Sequence, residues 1–473
     1  MFKSFNAASR NIATCAPAPQ PQQRVAKSAP MEPEMAGNQF PIQFVTRARV
    51  DPNNALKSEL HNLLLEQLNL SLLDKVPKGD LRREIAGLAA QHLQDRGKMM
   101  PATSFQKLID ELLDEVLGLG PLEPLLADPS VSDILVNGPS HVFVEREGIL
   151  ERAPARFRDE RHLLRIIDKI VSSVGRRIDE SQPWVDARLE DGSRVNAIIR
   201  PCAIDGASLS IRKFSRTRLD MDKLLEHGAL SKPAASFLEA AIKARMNVLI
   251  SGGTGSGKTT LLNALSSFID PRHRMVTIED AAELQLQHEH VVRLETRPAN
   301  AEGKGRISQR DLVINALRMR PDRIVVGEVR GSEAFDMLQA MNTGHDGSMT
   351  TIHANTTRDA VSRLEQMVMM IGGDFPIQAI RSQISAGVQL VLQLNRMADG
   401  RRRVISISEI VGLEGDTIMM QDIFTFKKMG LDAEGNVMGR MMASGIRPRC
   451  FEAIMASGVT LDADAFSQVG EVY

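Results

Sequence analysis

The sequence predicts an α/β protein in which a small helical bundle and an α+β domain precede a larger domain built on an open, doubly wound sheet. The chain has 473 residues, and at about 150 residues per domain this length suggests roughly three domains. The spacing of apolar residues changes along the chain from helical, to short strand-like runs, to buried strands associated with helices. These changes place the predicted domains at residues 54–126, 127–220 and 221–473.

Charge and cysteine content limit the classes of protein to which the chain can belong. Its 58 Lys and Arg nearly balance 59 Asp and Glu, so a cationic surface does not dominate and we expect no nucleic-acid partner. The three cysteines, Cys15, Cys202 and Cys450, lie too far apart for a disulfide framework or a four-cysteine zinc site, which favours a reducing compartment. No apolar run approaches the ~18 residues that a membrane-spanning helix needs.

The first 45 residues differ in composition from the rest of the chain. They combine few large apolar side chains with six prolines, namely Pro17, Pro19, Pro21, Pro30, Pro33 and Pro41. Such a segment buries too little surface to offset the entropy of ordering, so residues 1–50 are predicted to be a disordered tail. Because residues 1–31 contain no acid but several Arg, Lys and Ser, an organellar transit peptide is the alternative.

Apolar residues at helical spacing predict the bundle at 54–126. Leu60, Leu63, Leu64 and Leu68 recur at i, i+3, i+4 and i+8. A second stripe consists of Phe105, Leu108, Ile109, Leu112, Leu113 and Val116. Both stripes indicate core packing, with a partner-docking surface as the alternative.

Short strand-like runs separated by Gly, Pro and Asp turns predict the α+β domain at 127–220. The runs are 134–136, 142–144, 195–199 and 209–211. Between Arg146 and Arg218 there are 16 Lys and Arg against 11 Asp and Glu. This local surplus indicates either a solvated face or a surface that approaches a polyanion such as a nucleotide phosphate.

The strongest motif follows a short run at 247–250, Asn247 and three apolar residues, that is typical of a buried strand. The nine residues after Ser251 contain the pattern G-x-x-x-x-G-K-[ST] of a phosphate-binding loop, and 261–268 continues as a helix. Glycines there let backbone N–H groups face the phosphates, Lys258 contacts the outer phosphates and the Thr259 hydroxyl binds Mg²⁺. The predicted nucleotide-binding residues are Gly252, Gly253, Thr254, Gly255, Ser256, Gly257, Lys258, Thr259 and Thr260.

Acidic residues end two further strand-like runs. Glu328 follows the apolar run 324–326, where P-loop ATPases hold the carboxylate, usually Asp, that organises Mg²⁺. Glu279 follows 276–278, with Glu283 behind it, and is the candidate for polarising the attacking water. The carboxyl ends of strands in an open α/β sheet converge on a ligand, which favours a shared site. Solvated turns are the alternative for both segments.

Two histidines, His345 and His353, flank a predicted strand that follows a Gly-rich turn. We expect them to donate hydrogen bonds near a γ-phosphate. A zinc site is a weaker alternative because no Cys or third His lies in the segment. Structurally satisfied histidines are the remaining interpretation.

Taken in order, these motifs resemble the secretion ATPase superfamily, whose members drive type II secretion, type IV secretion and type IV pili. The likeness rests on the phosphate loop, the acid box at 278–283, the run Gly327–Arg330 and the histidine box. Further runs, at 176–180, 191–196, 317–322 and 341–348, are similar to the CpaF/TadA family of Tad (Flp) pilus assembly ATPases. The resemblance extends from about residue 117 to 409.

This resemblance implies a cytoplasmic homo-hexamer that binds ATP and Mg²⁺ between an N-terminal domain and a RecA-like C-terminal domain. It implies attachment to the inner membrane through platform proteins, which would move pilin. It assigns Lys258 and Thr259 to phosphate, Thr259 and Glu328 to the metal, Glu279 to the acid box, and His345 and His353 to phosphate sensing.

Arginines of the N-terminal domain also reach the nucleotide in such proteins. Arg212 matches one position, and Arg194 or Arg200 would supply the second. A cysteine-rich zinc subdomain typical of type II secretion motors is missing from the sequence, so type IV secretion is the main alternative. A nucleic-acid-translocating RecA-like motor and a scaffold that binds nucleotide without hydrolysis are the weaker ones.

Overall fold

The computed structural model describes residues 77–467, except 147, 215–218, 300–302 and 373–374, together with five residues between 56 and 64. The tail predicted for residues 1–50 therefore lies outside the described residues, as does Leu68 of the first predicted stripe. Among the described helices, none combines the length and the apolar character needed to cross a bilayer.

Two helices, α1 (Lys78–Asp95) and α2 (Ala102–Val116), form the first packed element. Each is preceded by a proline, Pro77 or Pro101, in an extended conformation from which a helix can start. The apolar stripe predicted from residue 105 onwards faces the other helix, and three of its members, Leu108, Ile109 and Leu112, are buried. The stripe therefore serves core packing.

A six-stranded antiparallel sheet follows, covered by one long helix. A short helix α3 (Glu123–Ala127) leads into it, and α4 (Glu160–Ser173) lies between its third and fourth strands. The strands are β1 (Val131–Asn137), β2 (Val142–Arg146), β3 (Ile149–Arg152), β4 (Trp184–Arg188), β5 (Arg194–Ile198) and β6 (Ser208–Arg212). Their order is β3-β2-β1-β6-β5-β4. All four strands predicted from the sequence are present.

The second sheet has nine strands in the order β15-β14-β13-β12-β7-β11-β10-β8-β9. Its strands are β7 (Val248–Gly252), β8 (Met275–Glu279), β9 (Val291–Glu295), β10 (Arg323–Val329), β11 (Met349–Ile352), β12 (Leu390–Arg396), β13 (Arg402–Glu414), β14 (Thr417–Leu431) and β15 (Val437–Ala443). The six strands from β12 to β9 are parallel, and β13, β14 and β15 extend them in antiparallel fashion.

Helices connect these strands and cover both faces of the sheet. They are α5 (Met221–Glu226), α6 (Lys232–Lys243), α7 (Lys258–Ser266), α8 (Gln309–Ala316), α9 (Glu333–Asn342), α10 (Thr357–Met369), α11 (Ile377–Gly387) and α12 (Cys450–Ala456). Successive residues of β7 belong to different apolar clusters, Val248 and Ile250 to one and Leu249 to the other. Such burial on both faces explains why the parallel strands read as continuous apolar runs. The predicted α/β class, with a RecA-like domain after an N-terminal domain, is confirmed.

Four phenylalanines hold the C-terminal segment on this domain. Phe466 lies 5.7 Å from Phe237 of α6, 6.1 Å from Phe424 of β14 and 5.9 Å from Phe451 of α12, measured between ring centroids. All are buried. Tilted and edge-to-face rings at such distances add to the stability that their burial supplies.

Candidate nucleotide-binding site

A cleft of about 700 Å³ lies where the two sheets approach each other. One side is formed by the phosphate loop and the carboxyl ends of β8, β10 and β11. The other side is formed by residues of β1, β2, β5 and β6. Parallel strands place their carboxyl ends at one edge of a sheet, and ligands of open α/β sheets bind there.

The phosphate loop joins β7 to α7. Gly255 and Gly257 have φ angles of +67° and +97°, which favour glycine and turn the backbone sharply. A Cβ at Gly252 would lie 2.8 Å from the carbonyl oxygen of Leu394, so the loop packs closely on β12. Helix α7 begins at Lys258, and Thr259 and Thr260 fall in its first turn, where backbone N–H groups favour an anion.

Lys258 is the central cation of the loop. Its Nζ donates hydrogen bonds to the carbonyl oxygens of Gly252 at 2.8 Å and Gly253 at 3.1 Å, and lies 4.0 Å from Oε1 of Glu328. Burial lowers the pKa of Lys258, against the opposing influence of Glu328. The amine therefore lies between the loop and the acid at the end of β10.

Glu279 ends β8 in a nearly closed environment. Its Oε2 accepts hydrogen bonds from the backbone N–H groups of Glu283 at 2.7 Å and Leu284 at 2.9 Å. Its Oε1 is buried and has no hydrogen-bond partner among the described residues. Burial raises the pKa of Glu279. Gly327 permits this position, because a Cβ there would lie 2.8 Å from Cγ of Glu279.

Arg330 is a member of the site that the residue-level reasoning did not single out. Its side chain pairs with Oε2 of Glu328, two residues earlier, and its Nη1 lies 3.6 Å from Oδ2 of Asp280. The sequence signal that could have identified Arg330 is its position in the run Gly327–Arg330, directly after the acidic strand end. Arg330 thus adds a second cation beside Glu328.

The N-terminal domain contributes both predicted arginines to the cleft. Arg194 pairs with Glu283, Nη1 to Oε1 at 2.5 Å, and Arg212 pairs with Asp133, Nε to Oδ1 at 3.3 Å. Arg200, the alternative to Arg194, follows the other end of β5 and does not line the cleft. Of Arg194 and Arg200, the structure therefore brings only Arg194 into the cleft.

The two histidines lie at opposite ends of β11. His353 follows the carboxyl end and lines the cleft. His345 precedes the strand by four residues and does not line the cleft. Because β11 is parallel to β7, its amino end lies at the edge away from the phosphate loop. The structure therefore does not bring His345 to the phosphate loop, and its contact with phosphate stays a prediction.

Two further arginines flank the phosphate loop, and sequence reasoning missed them. Arg402 donates from Nε to the carbonyl oxygen of Gly255 at 2.9 Å. Arg396 also lines the cleft and donates from Nη2 to the carbonyl oxygen of Gly148 at 3.0 Å. The Asp-Gly turn at 399–400, with basic residues on both sides, was the only local signal.

A second cavity of about 530 Å³ adjoins the loop. It shares five lining residues with the first cleft, namely Leu219, Ser256, Gly257, Thr260 and Arg402. Its apolar wall consists of Leu219, Leu224, Ala229, Leu230, Leu261, Leu394 and Val404. An apolar cavity next to a phosphate site suits a flat aromatic base.

The side chains present fit a Mg²⁺ ion that is shared with phosphates. Thr259 and Glu328 supply oxygen atoms, which Mg²⁺ prefers. Within the described part of the chain, no group of three His, Cys, Asp or Glu side chains could hold a metal ion by itself.

The fold and the cleft define a phosphate-loop nucleotide-binding protein of the α/β class. The family described as Type II/IV secretion system protein matches residues 115–444. That match spans more than half of the chain, and the protein belongs to this family.

Similar proteins carry names from conjugation and type IV secretion. A putative conjugal transfer protein of Mycobacterium tuberculosis is 42% identical over 310 residues, which cover 64% of this chain and 88% of that protein. The type IV secretion system protein VirB11 of Bartonella quintana is 32% identical over 347 residues, covering 64% and 95%. The crystal structure of the VirB11 ATPase of Brucella suis in complex with sulphate is 31% identical, covers 61% of this chain and 95% of that chain, and gives a TM-score of 0.34.

Proposed function

We propose that this protein is an ATPase motor that couples ATP hydrolysis to the assembly of Tad (Flp)-type pili through an inner-membrane platform. The observation that carries the ATPase function is the meeting of Lys258, Glu328 and Glu279 at one sheet edge beside the phosphate loop. Lys258 Nζ and Glu328 Oε1 are 4.0 Å apart. Membership of the secretion family supports the motor.

Each side chain has a role in this proposal. When nucleotide binds, Lys258 donates hydrogen bonds to the outer phosphates instead of to the carbonyl oxygens of Gly252 and Gly253. The N–H groups of the first turn of α7 bind the inner phosphates. Glu328 and Thr259 would hold Mg²⁺, which neutralises charge on the phosphates when bound. His353 donates to the γ-phosphate.

Glu279 is the proposed base that orients the attacking water. One of its carboxylate oxygens is fixed by two N–H groups, and the other is buried without a protein partner. A buried carboxylate with a raised pKa is a better proton acceptor than an exposed one. The unpartnered oxygen is the one that would accept a hydrogen bond from water.

Movement of the N-terminal domain would couple hydrolysis to work. Arg194 and Arg212 belong to that domain and line the same cleft as the phosphate loop. Charge-assisted bonds from these arginines to a γ-phosphate close the cleft, and loss of the phosphate reopens it. We propose that six such subunits form a ring at the cytoplasmic face of the inner membrane, contacting platform proteins and, through them, pilin.

A type IV secretion ATPase is the second candidate. The names of the similar proteins from Mycobacterium tuberculosis and Bartonella quintana favour it, whereas the sequence runs at 176–180 and 191–196 favour the pilus motor. Deleting the gene in the source organism separates them. Loss of surface filaments with intact conjugation or effector transfer supports the pilus motor, and the reverse supports secretion.

The ATPase function is tested with two variants and one control. Lys258→Ala is expected to lose ATP binding, because it removes the cation of the phosphate loop. Glu328→Gln is expected to bind a fluorescent ATP analogue but to release phosphate at least tenfold more slowly. Lys243→Ala, which changes a lysine on the exposed side of α6, should match the parent. Unchanged phosphate release in Glu328→Gln would remove that residue from the mechanism.

A further inference from the structure

Two arginines face each other at the end of the phosphate-loop sheet. Arg396 ends β12, Arg402 begins β13, and they are register partners. Like charges directly opposite each other destabilise an antiparallel strand pair. Within the described residues, each guanidinium is hydrogen-bonded to a backbone carbonyl, and neither has a carboxylate at ion-pair distance. The pair thus carries positive charge that a bound anion would neutralise.

Both guanidinium groups lie against the phosphate loop. Arg402 donates to the carbonyl oxygen of Gly255 at 2.9 Å. A Cβ at Gly255 would lie 3.9 Å from Nη1 of Arg396. Both side chains line the cleft that also contains Lys258. An anion held by the loop therefore lies within reach of a small rotation of the Arg396 side chain.

Arg396 also contacts the N-terminal domain. Its Nη2 donates to the carbonyl oxygen of Gly148 at 3.0 Å, in the turn between β2 and β3. Gly148 has a φ of +85°, and a Cβ there would lie 2.5 Å from Nη2 of Arg396. This turn is therefore shaped for close approach of the guanidinium, and a single side chain joins the turn to the phosphate loop.

We propose that Arg396 is a positioning residue that couples the β2–β3 turn of the N-terminal domain to occupancy of the phosphate loop. The inference rests on the proposed function, because it needs a nucleotide phosphate in the loop. A charge-assisted bond to phosphate is stronger than one to a neutral carbonyl. Binding of the phosphate therefore draws the guanidinium from Gly148 and releases the turn, and loss of the phosphate restores the contact.

Hydrogen–deuterium exchange in the full-length protein tests this coupling. With Mg²⁺ and the non-hydrolysable analogue AMP-PNP, peptides covering the β2–β3 turn of the parent should exchange faster than without nucleotide. In Arg396→Gln they should exchange at the faster rate in both conditions, and AMP-PNP should bind about fivefold more weakly. Arg396→Lys keeps the charge but lacks the planar fork, so its exchange rate and its affinity for AMP-PNP should lie between those of the parent and of Arg396→Gln. Arg363→Gln, an exposed arginine of α10, should match the parent.

Two glycine variants test the turn from its own side. Gly148→Ala should raise exchange of the turn without nucleotide, because the new methyl group displaces Nη2 of Arg396. Gly435 is the matched control, since it has the same φ of +85° and its Cβ would meet no atom within 4 Å. Gly435→Ala should therefore strain its own turn and leave the β2–β3 turn unchanged.

The outcomes separate this inference from the proposed function. A parent protein that neither binds AMP-PNP nor releases phosphate overturns both. A parent that binds AMP-PNP, with an Arg396→Gln variant whose β2–β3 turn still responds to it as the parent does, overturns the role of Arg396 alone. Equal effects of Gly148→Ala and Gly435→Ala on the β2–β3 turn would also contradict that role.

Discussion

Arg330 donates two hydrogen bonds to one carboxylate oxygen of Glu328, from Nε at 3.0 Å and from Nη2 at 2.6 Å. The other oxygen, Oε1, lies 4.0 Å from Nζ of Lys258. Arg330 therefore orients the carboxylate so that its two oxygens face different cations. This arrangement suits an acid that must present a defined oxygen to the nucleotide site.

We predict that Arg330→Gln lowers kcat for ATP roughly tenfold to a hundredfold, because a misplaced catalytic group can cost that much. The side chain is 61% exposed, so the free energy of unfolding should change by less than about 1 kcal/mol. Steady-state phosphate release and thermal unfolding measure the two effects. Arg272→Gln, which removes the exposed pair of Arg272 with Asp270 at the same spacing in sequence, is the control. Full activity of Arg330→Gln would show that the ion pair between Arg330 and Glu328 is not needed to position the carboxylate.

The buried carboxyl of Glu279 predicts a pH dependence of stability. Its pKa is raised above the ordinary value of 4.5 by burial, so between 4.5 and the raised pKa the folded protein binds more protons than the unfolded chain. The contribution of Glu279 to stability therefore falls as pH rises through that window. Glu279→Gln removes this term while keeping an acceptor for the N–H groups of Glu283 and Leu284.

The free energy of unfolding of Glu279→Gln, relative to the parent, should accordingly rise as pH increases from about 4.5, and then level off. Chemical denaturation at several pH values measures it. Glu239→Gln, which changes an exposed carboxylate of α6, is the control. A relative stability that falls over the same interval would contradict the buried, protonated state.

Removing the charge of Asp133 and removing the charge of Arg212 should have opposite effects on the affinity for nucleotide. They are register partners in β1 and β6, and both line the cleft. Removing the Asp133 charge frees the guanidinium, so Asp133→Asn should bind ATP more tightly, and Arg212→Gln should bind it more weakly. Exposed ion pairs contribute up to about 1 kcal/mol, so we expect a change of up to about fivefold in each direction. Titration with a fluorescent ATP analogue at two salt concentrations measures this, and changes of the same sign would refute it.

Phe466 should contribute strongly to stability. It is 3% exposed and contacts three other rings, so Phe466→Ala should cost about 3–5 kcal/mol of unfolding free energy. Phe375→Ala is the control, because that ring contacts only Phe335 among the described rings and is 48% exposed. Denaturation followed by circular dichroism compares them. Similar losses in both variants would show that the C-terminal ring cluster adds little.

The phosphate loop and the two acidic strand ends could be predicted because their signals are local. A largely apolar run of three or four residues followed by a glycine-rich turn or an acid predicts a buried strand and its carboxyl end. Parallel pairing then brings Lys258, Glu279 and Glu328 to one edge of the sheet. The same pairing leaves His345 at the opposite edge of the sheet, because its Gly-rich turn precedes β11.

The sequence by itself determined which residues are chemically suited to a phosphate and where several of the strands and helices around them would form, since these depend on spacing within a few residues. Only the tertiary structure decided which distant segments adjoin the loop. Strand β12 pairs with β7, although about 140 residues separate them, and this pairing brings Arg396 and Arg402 to the phosphate loop. Packing of the N-terminal sheet against the cleft likewise placed Gly148 on Arg396. Such neighbours follow from chain topology and burial, which no local pattern encodes.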